Sequence, residues 1–299
     1  MDEKKNPGLE SLLDCGVVII DKPPKLSSHE VTALVKKITG ANRAGHAGTL
    51  DPDVTGVLPI ALGRATKLLD YIVAKEKTYV GIMKFKKEQD TKSVLALFSK
   101  FTGDIIQTPP KISAVRKVPR KRTIRTLRFL EQEGKLVLFE SEVQAGTYIR
   151  TLCEDMGKTC GGARMEELRR IAVGGITEGK CVAMQALADA VWLYKEKGDS
   201  SELEKIIRPV EEYLQDYPKI FAKGSAVSSL LNGAQLMAPG VSKCESFRKG
   251  ERIAVYSEKG DFVGMGISLA NSMEAGKMPS GPVVAMERVH MRRVQIAGK

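Results

Sequence analysis

The chain has 299 residues, more than a single hydrophobic core usually serves, so its length predicts one large domain and a smaller one. Its five cysteines are scattered without a C-x-x-C pair, and no apolar run is long enough to cross a bilayer, which argues against a disulfide framework, a zinc site and a membrane partner. A formal net charge of +11 favours a polyanionic partner, and we expect a cytoplasmic protein.

The first predicted elements are a strand, a helix and a long loop. Residues 16–20 are apolar and two prolines follow shortly after, which predicts a buried strand. Ser27 and Glu30 form a capping-box pattern, and apolar residues then recur at helical spacing up to Gly40. Residues 41–59 are rich in Gly, Asp and Pro, so we expect a loop that runs into a strand.

Helices and strands then alternate, which predicts an α+β domain. The predicted helices lie at residues 65–74, 92–101, 149–158 and 184–197, and the predicted strands at 77–85, 123–130 and 135–143. We expect a surface break at residues 198–201 and a domain boundary near residue 217. Beyond that boundary, short apolar runs predict a small β-barrel-like module, and they lie at residues 252–256, 262–267 and 283–289.

A basic segment runs from Arg116 to Arg128. It contains seven basic residues and no acid, enough to neutralise several phosphates if the side chains share one surface. By itself the segment is as typical of a solvated basic face as of a nucleic-acid contact. Composition therefore leaves both interpretations open.

The most informative loop is centred on Asp51. An aspartate before a proline in a glycine-rich loop is ordinarily a turn residue. However, the run from His46 to Pro59, HAGTLDPDVTGVLP, resembles the catalytic motif of the TruB/dyskerin family of RNA pseudouridine synthases. The catalytic aspartate of that motif corresponds to Asp51, so the resemblance implies that Asp51 is the nucleophile.

Four further segments resemble the same family in the order that the family requires. Residues 16–31 resemble its opening motif, residues 77–79 its tyrosine motif and residues 145–152 its arginine motif. Residues 223–291 resemble the PUA domain, an RNA-binding module. The resemblance covers the chain from residue 14 to residue 291.

The resemblance implies a particular fold and activity. The fold is α+β, with a mixed, mostly antiparallel sheet flanked by helices in a catalytic domain over residues 1–216. A small PUA β-barrel over residues 217–294 and a tail at 295–299 follow. The activity is the isomerisation of uridine to pseudouridine in RNA, which breaks the N-glycosidic bond and rejoins the base through carbon 5. Because this reaction involves no net redox change and no group from outside, no cofactor is expected.

Three residues are implied to be catalytic. Asp51 forms a covalent intermediate with the sugar or adds to the pyrimidine ring, and the sequence leaves both routes open. Arg150 orients that carboxylate through its guanidinium fork, although on sequence alone it resembles an ordinary surface cation. Tyr79 stacks on the target base, and its hydroxyl is a candidate for removing the carbon 5 proton, although by default it would be a core residue.

A wider set of residues is implied to contact or support the RNA. His46 is suited to fill the space left by an extruded uridine or to hold the flipped nucleotide. Lys22 is expected to support the active site from beneath, and Leu168 to pack against the bound base. The other candidates for RNA contact are Arg116, Arg120, Lys121, Arg122, Lys223, Gly233 and Ala234. The histidines at 29, 46 and 290 lie far apart in sequence, so no metal site is expected.

Two branches of the family differ in how they select the uridine. Bacterial members act alone on the TΨC loop of tRNA and carry an insertion after a P-P-x-x-S-A motif. In this chain, residues 109–115 run almost directly into residue 123, which is similar to dyskerin-type proteins. Those proteins are catalytic subunits of H/ACA ribonucleoproteins, in which a guide RNA chooses the uridine of an rRNA target. Their small partners are Nop-type, Gar-type and kink-turn-binding proteins.

The chain is interpreted as an archaeal-type member with tRNA as a further substrate. Residues 42–46 look more bacterial, and little of the lysine-rich extension of eukaryotic members is present. One alternative is a stand-alone tRNA pseudouridine synthase. A more remote alternative is a catalytically idle RNA-binding scaffold, against which the intact set of Asp51, Tyr79 and Arg150 argues.

Overall fold

Two β-sheets organise the computed structural model, which describes residues 9–110, 116–275 and 278–291. The chain divides between Arg208 and Pro209 into two compact units. Among the described residues, no helix combines the length and apolarity needed to span a bilayer. Residues 111–115, within the segment that separates the two branches in sequence, and the expected tail at 295–299 lie outside the described residues.

The first unit contains helices and strands in alternation. Their bounds are α1 Leu9–Cys15, β1 Gly16–Lys22, α2 Ser28–Thr39, β2 Ala44–His46, β3 Thr55–Leu62, α3 Leu69–Val73, β4 Lys77–Phe85, α4 Thr91–Phe101, β5 Gly103–Gln107, β6 Arg120–Glu133, β7 Leu136–Val143, α5 Ile149–Thr159, β8 Ala163–Val173, β9 Ile176–Thr177, α6 Met184–Lys197, α7 Ser201–Ile206 and β10 Ile207–Pro209. Two 3-10 helices, Gly63–Leu68 and Glu178–Lys180, complete it.

The large sheet has the strand order β10-β1-β3-β8-β4-β7-β6-β5, with β2 beside β3 and β9 beside β8. The pairs β1–β3, β4–β7, β4–β8, β5–β6 and β6–β7 are antiparallel, whereas β3 and β8 run parallel. This confirms the expected mixed, mostly antiparallel sheet.

Helices pack against the sheet through the buried residues of its strands. Along β4, buried residues alternate with partly exposed ones, so every second side chain joins the core. Phe139 of β7 packs in one apolar cluster with Phe98 of α4 and Leu152 of α5. Val35 of α2 and Leu187 of α6 belong to a second cluster with residues of β1 and β3. The expectation of flanking helices is thereby confirmed.

Local sequence signals located several elements well. The Ser27–Glu30 capping box forms as expected, and Gly40 ends α2 in the left-handed conformation with φ +70. The predicted helix over residues 65–74 is instead a 3-10 helix followed by α3, and the expected break is shorter because Ser201 begins α7. The sequence predicts no element at β5 or β8. Strand β8 carries many charged residues, since both of its faces are partly exposed.

The second unit is built on a six-stranded sheet of the described residues. Its elements are β11 Lys219–Ala222, α8 Gly224–Leu230, β12 Leu236–Met237, β13 Val241–Cys244, β14 Arg252–Ser257, β15 Phe262–Ser268, α9 Ser272–Ala275 and β16 Pro282–Val289, with 3-10 helices at Val210–Tyr213 and Ala238–Gly240. The strand order is β12-β16-β15-β14-β11-β13. The three apolar runs predicted in sequence correspond to β14, β15 and β16.

Candidate active site

Asp51 lies in the loop between β2 and β3 and pairs with Arg150 in the first turn of α5. Arg150 Nη2 lies 2.9 Å from Asp51 Oδ2, and the two side chains are 45% and 50% exposed. The backbone turns back at this point, because the amide of Val54 donates to the carbonyl of Asp51 at 3.0 Å. The pair is therefore formed at the surface, where a substrate can reach the carboxylate.

Lys22, at the end of β1, supports the loop from beneath. Its side chain is fully buried, and Nζ donates to the carbonyls of Pro23 at 2.8 Å, Leu26 at 2.6 Å and Pro52 at 2.8 Å. Burial lowers the pKa of Lys22, and nearby carboxylates such as Asp53 partly offset this effect. All three protons are used within the fold, so this side chain supports Pro52 beside Asp51.

Ser28 anchors the other side of Asp51. This buried residue begins α2, and its Oγ donates to the carbonyl of Leu50 at 3.1 Å and accepts from the amide of Leu50 at 2.8 Å. The sequence marks Ser28 only as part of the opening motif. Its hydroxyl and the Lys22 amine together fix the backbone on both sides of Asp51.

Tyr79 and Leu168 approach the same loop from neighbouring strands of the sheet. Tyr79 of β4 is 8% exposed and belongs to one apolar cluster with Leu50, Val54 and Ile149, against which Leu168 of β8 packs. Leu50 and Val54 bracket Asp51, and Ile149 precedes Arg150. The fold therefore brings the predicted residues Asp51, Tyr79, Arg150 and Leu168 to one place.

His46 ends β2, and its ring meets that of His29 edge-on at a centroid distance of 4.9 Å. Its Nδ1 atom is buried and has no hydrogen-bond partner among the residues that the structure describes. Burial lowers the pKa of His46, and the charges of His29 and Arg170 add to that effect. The imidazole is thus disposed to stay neutral at the entrance to the Asp51 loop.

Gln107 fixes the segment that leads into α5 and Arg150. Its buried side chain donates from Nε2 to the carbonyl of Tyr148 at 3.2 Å and accepts from the amide of Tyr148 at 3.1 Å. Arg122 Nε donates to the carbonyl of Gly146 at 3.0 Å. Sequence reasoning missed Gln107 because it missed β5, whose polar C-terminal residue carries no recognisable pattern.

Arg170 is the other functional candidate that sequence reasoning missed. Its guanidinium is 1% exposed and donates from Nε to the carbonyl of Val57 at 2.8 Å and from Nη2 to the carbonyl of Gly48 at 3.1 Å. Tyr79 of β4 lies directly opposite Arg170 on β8, and the two side chains interact electrostatically. Burial lowers the pKa of Arg170, and Tyr79 partly counteracts this. The only sequence signal was its place in the Leu168-Arg169-Arg170 run.

The basic segment divides into paired and unpaired cations. Lys121 Nζ lies 2.9 Å from Asp104 Oδ2, Arg125 Nε lies 2.5 Å from Glu76 Oε1, and Arg128 pairs with Glu140. By contrast, Arg120 donates to the backbone carbonyl of Arg116 at 3.5 Å. Within the described ranges, Arg116, Lys117, Arg120 and Arg122 form no ion pair, so these four are better placed to meet a phosphate than the three paired cations.

The RNA candidates of the second unit flank helix α8. Lys223 precedes the helix and donates from Nζ to the carbonyl of Pro239 at 2.8 Å, while Gly233 and Ala234 follow the helix. All three are exposed. In the part of the chain that the structure describes, no group of three or more His, Cys, Asp or Glu side chains is arranged to hold a metal ion.

Comparison with protein families gives three consecutive matches. Residues 36–149 match the model described as TruB family pseudouridylate synthase, N terminal domain. Residues 150–215 match the tRNA pseudouridylate synthase B C-terminal domain, and residues 218–290 match the PUA domain.

Curated relatives and solved structures agree with these matches. The protein named probable tRNA pseudouridine synthase B of Pyrobaculum aerophilum is 45% identical over 286 residues, which cover 95% of this chain and 86% of that protein. Its namesake from Methanocaldococcus jannaschii is 43% identical, with 95% and 85% covered.

Among solved structures, a chain of a Cbf5-Nop10-Gar1 complex superposes with a TM-score of 0.91 at 37% identity, covering 96% of this chain and 88% of that one. A chain from a structure of an H/ACA RNP bound to a substrate RNA containing 2'-deoxyuridine superposes with a TM-score of 0.88 at 36% identity, covering 95% and 88%.

Proposed function

Because the chain belongs to the TruB family of RNA pseudouridine synthases, we propose that Asp51 is the nucleophile with which it isomerises uridine to pseudouridine. The family predicted from the Asp51 motif is thereby confirmed. The observation that carries the nucleophile assignment is the 2.9 Å pair between Asp51 and Arg150 at a half-exposed surface, beside the apolar cluster that holds Tyr79.

The roles of the neighbouring residues follow from their chemistry. Asp51 attacks the sugar or the base, and Arg150 fixes its orientation through a charge-assisted hydrogen bond. Tyr79 lies where its ring can contact the target base, with Leu168 packing beside it. A uridine in a stacked RNA must first be extruded, at a cost of a few kcal/mol, and we assign His46 to the space that it leaves.

The substrate and partners are proposed from the relatives. We assign this chain to guide-directed pseudouridylation as the catalytic subunit of an H/ACA-type particle, with Nop10-like and Gar1-like proteins as partners. We assign tRNA as a further substrate, because the curated relatives are named as tRNA pseudouridine synthases. The same proposal locates the activity in the cytoplasm, with a catalytic domain over residues 1–216 and an RNA-binding PUA domain over residues 217–294.

The deciding experiment measures pseudouridine formed by the purified protein. An unmodified tRNA transcript is offered first to the protein alone, and a guide RNA with its target and the two partner proteins is added afterwards. Activity only in the assembled particle supports the guide-directed proposal. Activity on tRNA without a guide, and none gained from the particle, supports the stand-alone alternative instead.

Asp51→Asn tests the nucleophile. We expect turnover to fall by at least roughly 10³-fold, because no covalent intermediate forms, while RNA affinity stays within about twofold because phosphate contacts dominate binding. Turnover close to that of the unaltered protein would exclude Asp51 as nucleophile. A wild-type protein that binds RNA but forms no pseudouridine under any of these conditions would support the idle-scaffold alternative.

A further inference from the structure

Arg170 has the largest fully buried side chain among the described residues, and none of its hydrogen-bond partners in that part of the chain is a carboxylate. Its guanidinium donates to the carbonyls of Val57 and Gly48, and it interacts electrostatically with Tyr79, which lies opposite it on β4. A buried cation without a counter-ion costs folding free energy, and a neutral hydrogen-bonding side chain would avoid that cost. The positive charge at this position is therefore expected to serve the site rather than the stability of the sheet.

The pairing of β8 with β4 places Arg170 opposite Tyr79. The two residues lie directly opposite each other on the antiparallel strands β8 and β4, and the register shifts between Thr78 and Tyr79. Such an irregularity re-aims the side chains beside it. On the other side, β3 approaches so closely that a Cβ added to Gly56 would lie 2.1 Å from the carbonyl oxygen of Arg170. Arg170 is thus held between the two strands that carry the Asp51 loop and Tyr79.

We propose that Arg170 is a positioning residue that holds the Tyr79 hydroxyl for proton transfer and ties it to the Asp51 loop, an inference that rests on the function proposed above. A guanidinium only donates hydrogen bonds, so the Tyr79 oxygen that it contacts is held as an acceptor. Its second link, to the carbonyl of Gly48, reaches the loop that contains Asp51. One side chain thereby sets the distance between the nucleophile and the tyrosine.

The step that Arg170 assists is the last proton transfer. After the sugar is joined to carbon 5, the C5–H bond breaks and its proton passes to the Tyr79 oxygen while the hydroxyl proton leaves to water. The electron pair of that bond forms the C5–C6 double bond, the C6–N1 π pair moves to N1, and N1 takes up a proton from water, so the net change is one proton moved from C5 to N1. No oxidant or reductant is involved. The nearby guanidinium stabilises the negative charge that develops on this oxygen as its own proton leaves.

The test is an isotope effect rather than a pH profile, because Lys77, His46 and Cys181 also interact electrostatically with Arg170 and would titrate in such a profile. Single-turnover rates are measured with RNA that carries hydrogen or deuterium at carbon 5 of the target uridine. For Arg170→Met we expect a rate loss of roughly 10²-fold and a larger isotope effect than in the wild type. RNA affinity is expected to stay within about twofold.

Two further variants make the result decisive. Arg170→Lys keeps the charge but not the fork, so we expect a smaller loss with a raised isotope effect, and this variant decides alone if Arg170→Met does not fold. Arg169→Met is the matched control, since Arg169 pairs with Asp21 and Glu178 away from Tyr79 and its loss should leave the isotope effect unchanged.

The proposal is overturned if the folded Arg170 variants show the isotope effect of the wild type, or if the loss from Arg170→Met is as large in a Tyr79→Phe background as in the wild type. That result is distinct from a failure of the proposed function. In the latter case the wild-type protein forms no pseudouridine, or Asp51→Asn retains turnover.

Discussion

Asp51 and Arg150 are close enough for a charge-assisted hydrogen bond, yet about half of each side chain is exposed. An ion pair with that exposure contributes no more than about 1 kcal/mol to folding. We therefore propose that the pair serves to orient the carboxylate, which a flexible and solvated aspartate would lack. Arg150 lies in the first turn of α5, so the backbone of a helix limits the movement of the guanidinium.

Arg150→Lys separates orientation from stability. A lysine ammonium is a point charge without a fork, so we expect the single-turnover rate to fall by about 10- to 100-fold while the free energy of unfolding changes by less than about 1 kcal/mol. Arg164→Lys is a suitable control, because Arg164 also pairs with a carboxylate, Glu166, at 3.0 Å. A loss of stability that accounts for the loss of rate would contradict an orienting role.

Lys77 makes the free energy of unfolding depend on pH in the alkaline range. Burial lowers its pKa from 10.5 to about 8, with a smaller effect from Arg170, and its Nζ donates to the carbonyls of Val73 and Lys75. The unfolded chain binds this proton more tightly than the folded chain does. The contribution of Lys77 to stability therefore rises as pH increases from about 8 to 10.5.

We expect the free energy of unfolding of the wild type, relative to Lys77→Met, to rise by up to about 3 kcal/mol across that range. Urea denaturation of both proteins at several pH values measures this difference, and the comparison removes groups that titrate in both. Stability curves that remain parallel with pH would show that Lys77 titrates as it does in the unfolded chain.

At the scale of elements, the close approach of β3 and β8 depends on Gly56. This residue has φ +102, and any Cβ there would meet the backbone of Arg170. We expect Gly56→Ala to lower the free energy of unfolding by at least about 3 kcal/mol, because backbone strain and a clash with backbone act together.

Gly103→Ala provides the matched comparison for this prediction. Gly103 has a similar φ of +98, but nothing lies within 4 Å of a Cβ added there, so only the conformational strain of about 1–2 kcal/mol applies. Urea denaturation compares the two variants. Equal losses would mean that the strands separate without cost and that the close approach is not important for stability.

Elements and site residues differ in how far the sequence reveals them. The helix that starts after Ser27 and the alternating strand β7 follow from local patterns, since their signals lie within a few residues. The roles of Asp51, Tyr79 and Arg150 came from a resemblance in motifs and remain proposals. The contacts of Gln107 and Arg170 could not be predicted from the sequence, because their partners lie 41 and 122 positions away. No local pattern encodes such a contact.

At the scale of the whole molecule, the seven cations of the basic segment overstate the charge that this segment offers to RNA. Lys121, Arg125 and Arg128 are paired with acids on neighbouring strands. The sequence alone does not distinguish these three from the other cations of the segment, because the acids that pair with them come from other segments. The cations that form no ion pair among the described residues, which include Arg116 and Arg120, are expected to carry most of the attraction.

A charge-matched comparison tests this expectation. Arg116→Gln with Arg120→Gln removes two charges, as does Arg125→Gln with Arg128→Gln. We expect the first pair to weaken RNA binding roughly tenfold at about 0.1 M salt and to reduce the slope of log affinity against log salt by about 1.4–1.8. The second pair should have a clearly smaller effect. Equal effects in binding titrations would mean that only net charge matters.

The link between Arg170 and Gly48 also bears on when the enzyme becomes competent during its own synthesis. The two residues are 122 positions apart, and Arg170 follows the loop that it holds. At a typical rate of about 5–20 residues per second, the ribosome makes that intervening chain in about 6–24 s. A nascent chain that already displays Asp51 therefore has the loop contacts from Lys22 and Ser28 but lacks the one from Arg170. Under the role proposed for Arg170, premature reaction of an incomplete chain with nearby RNA is disfavoured.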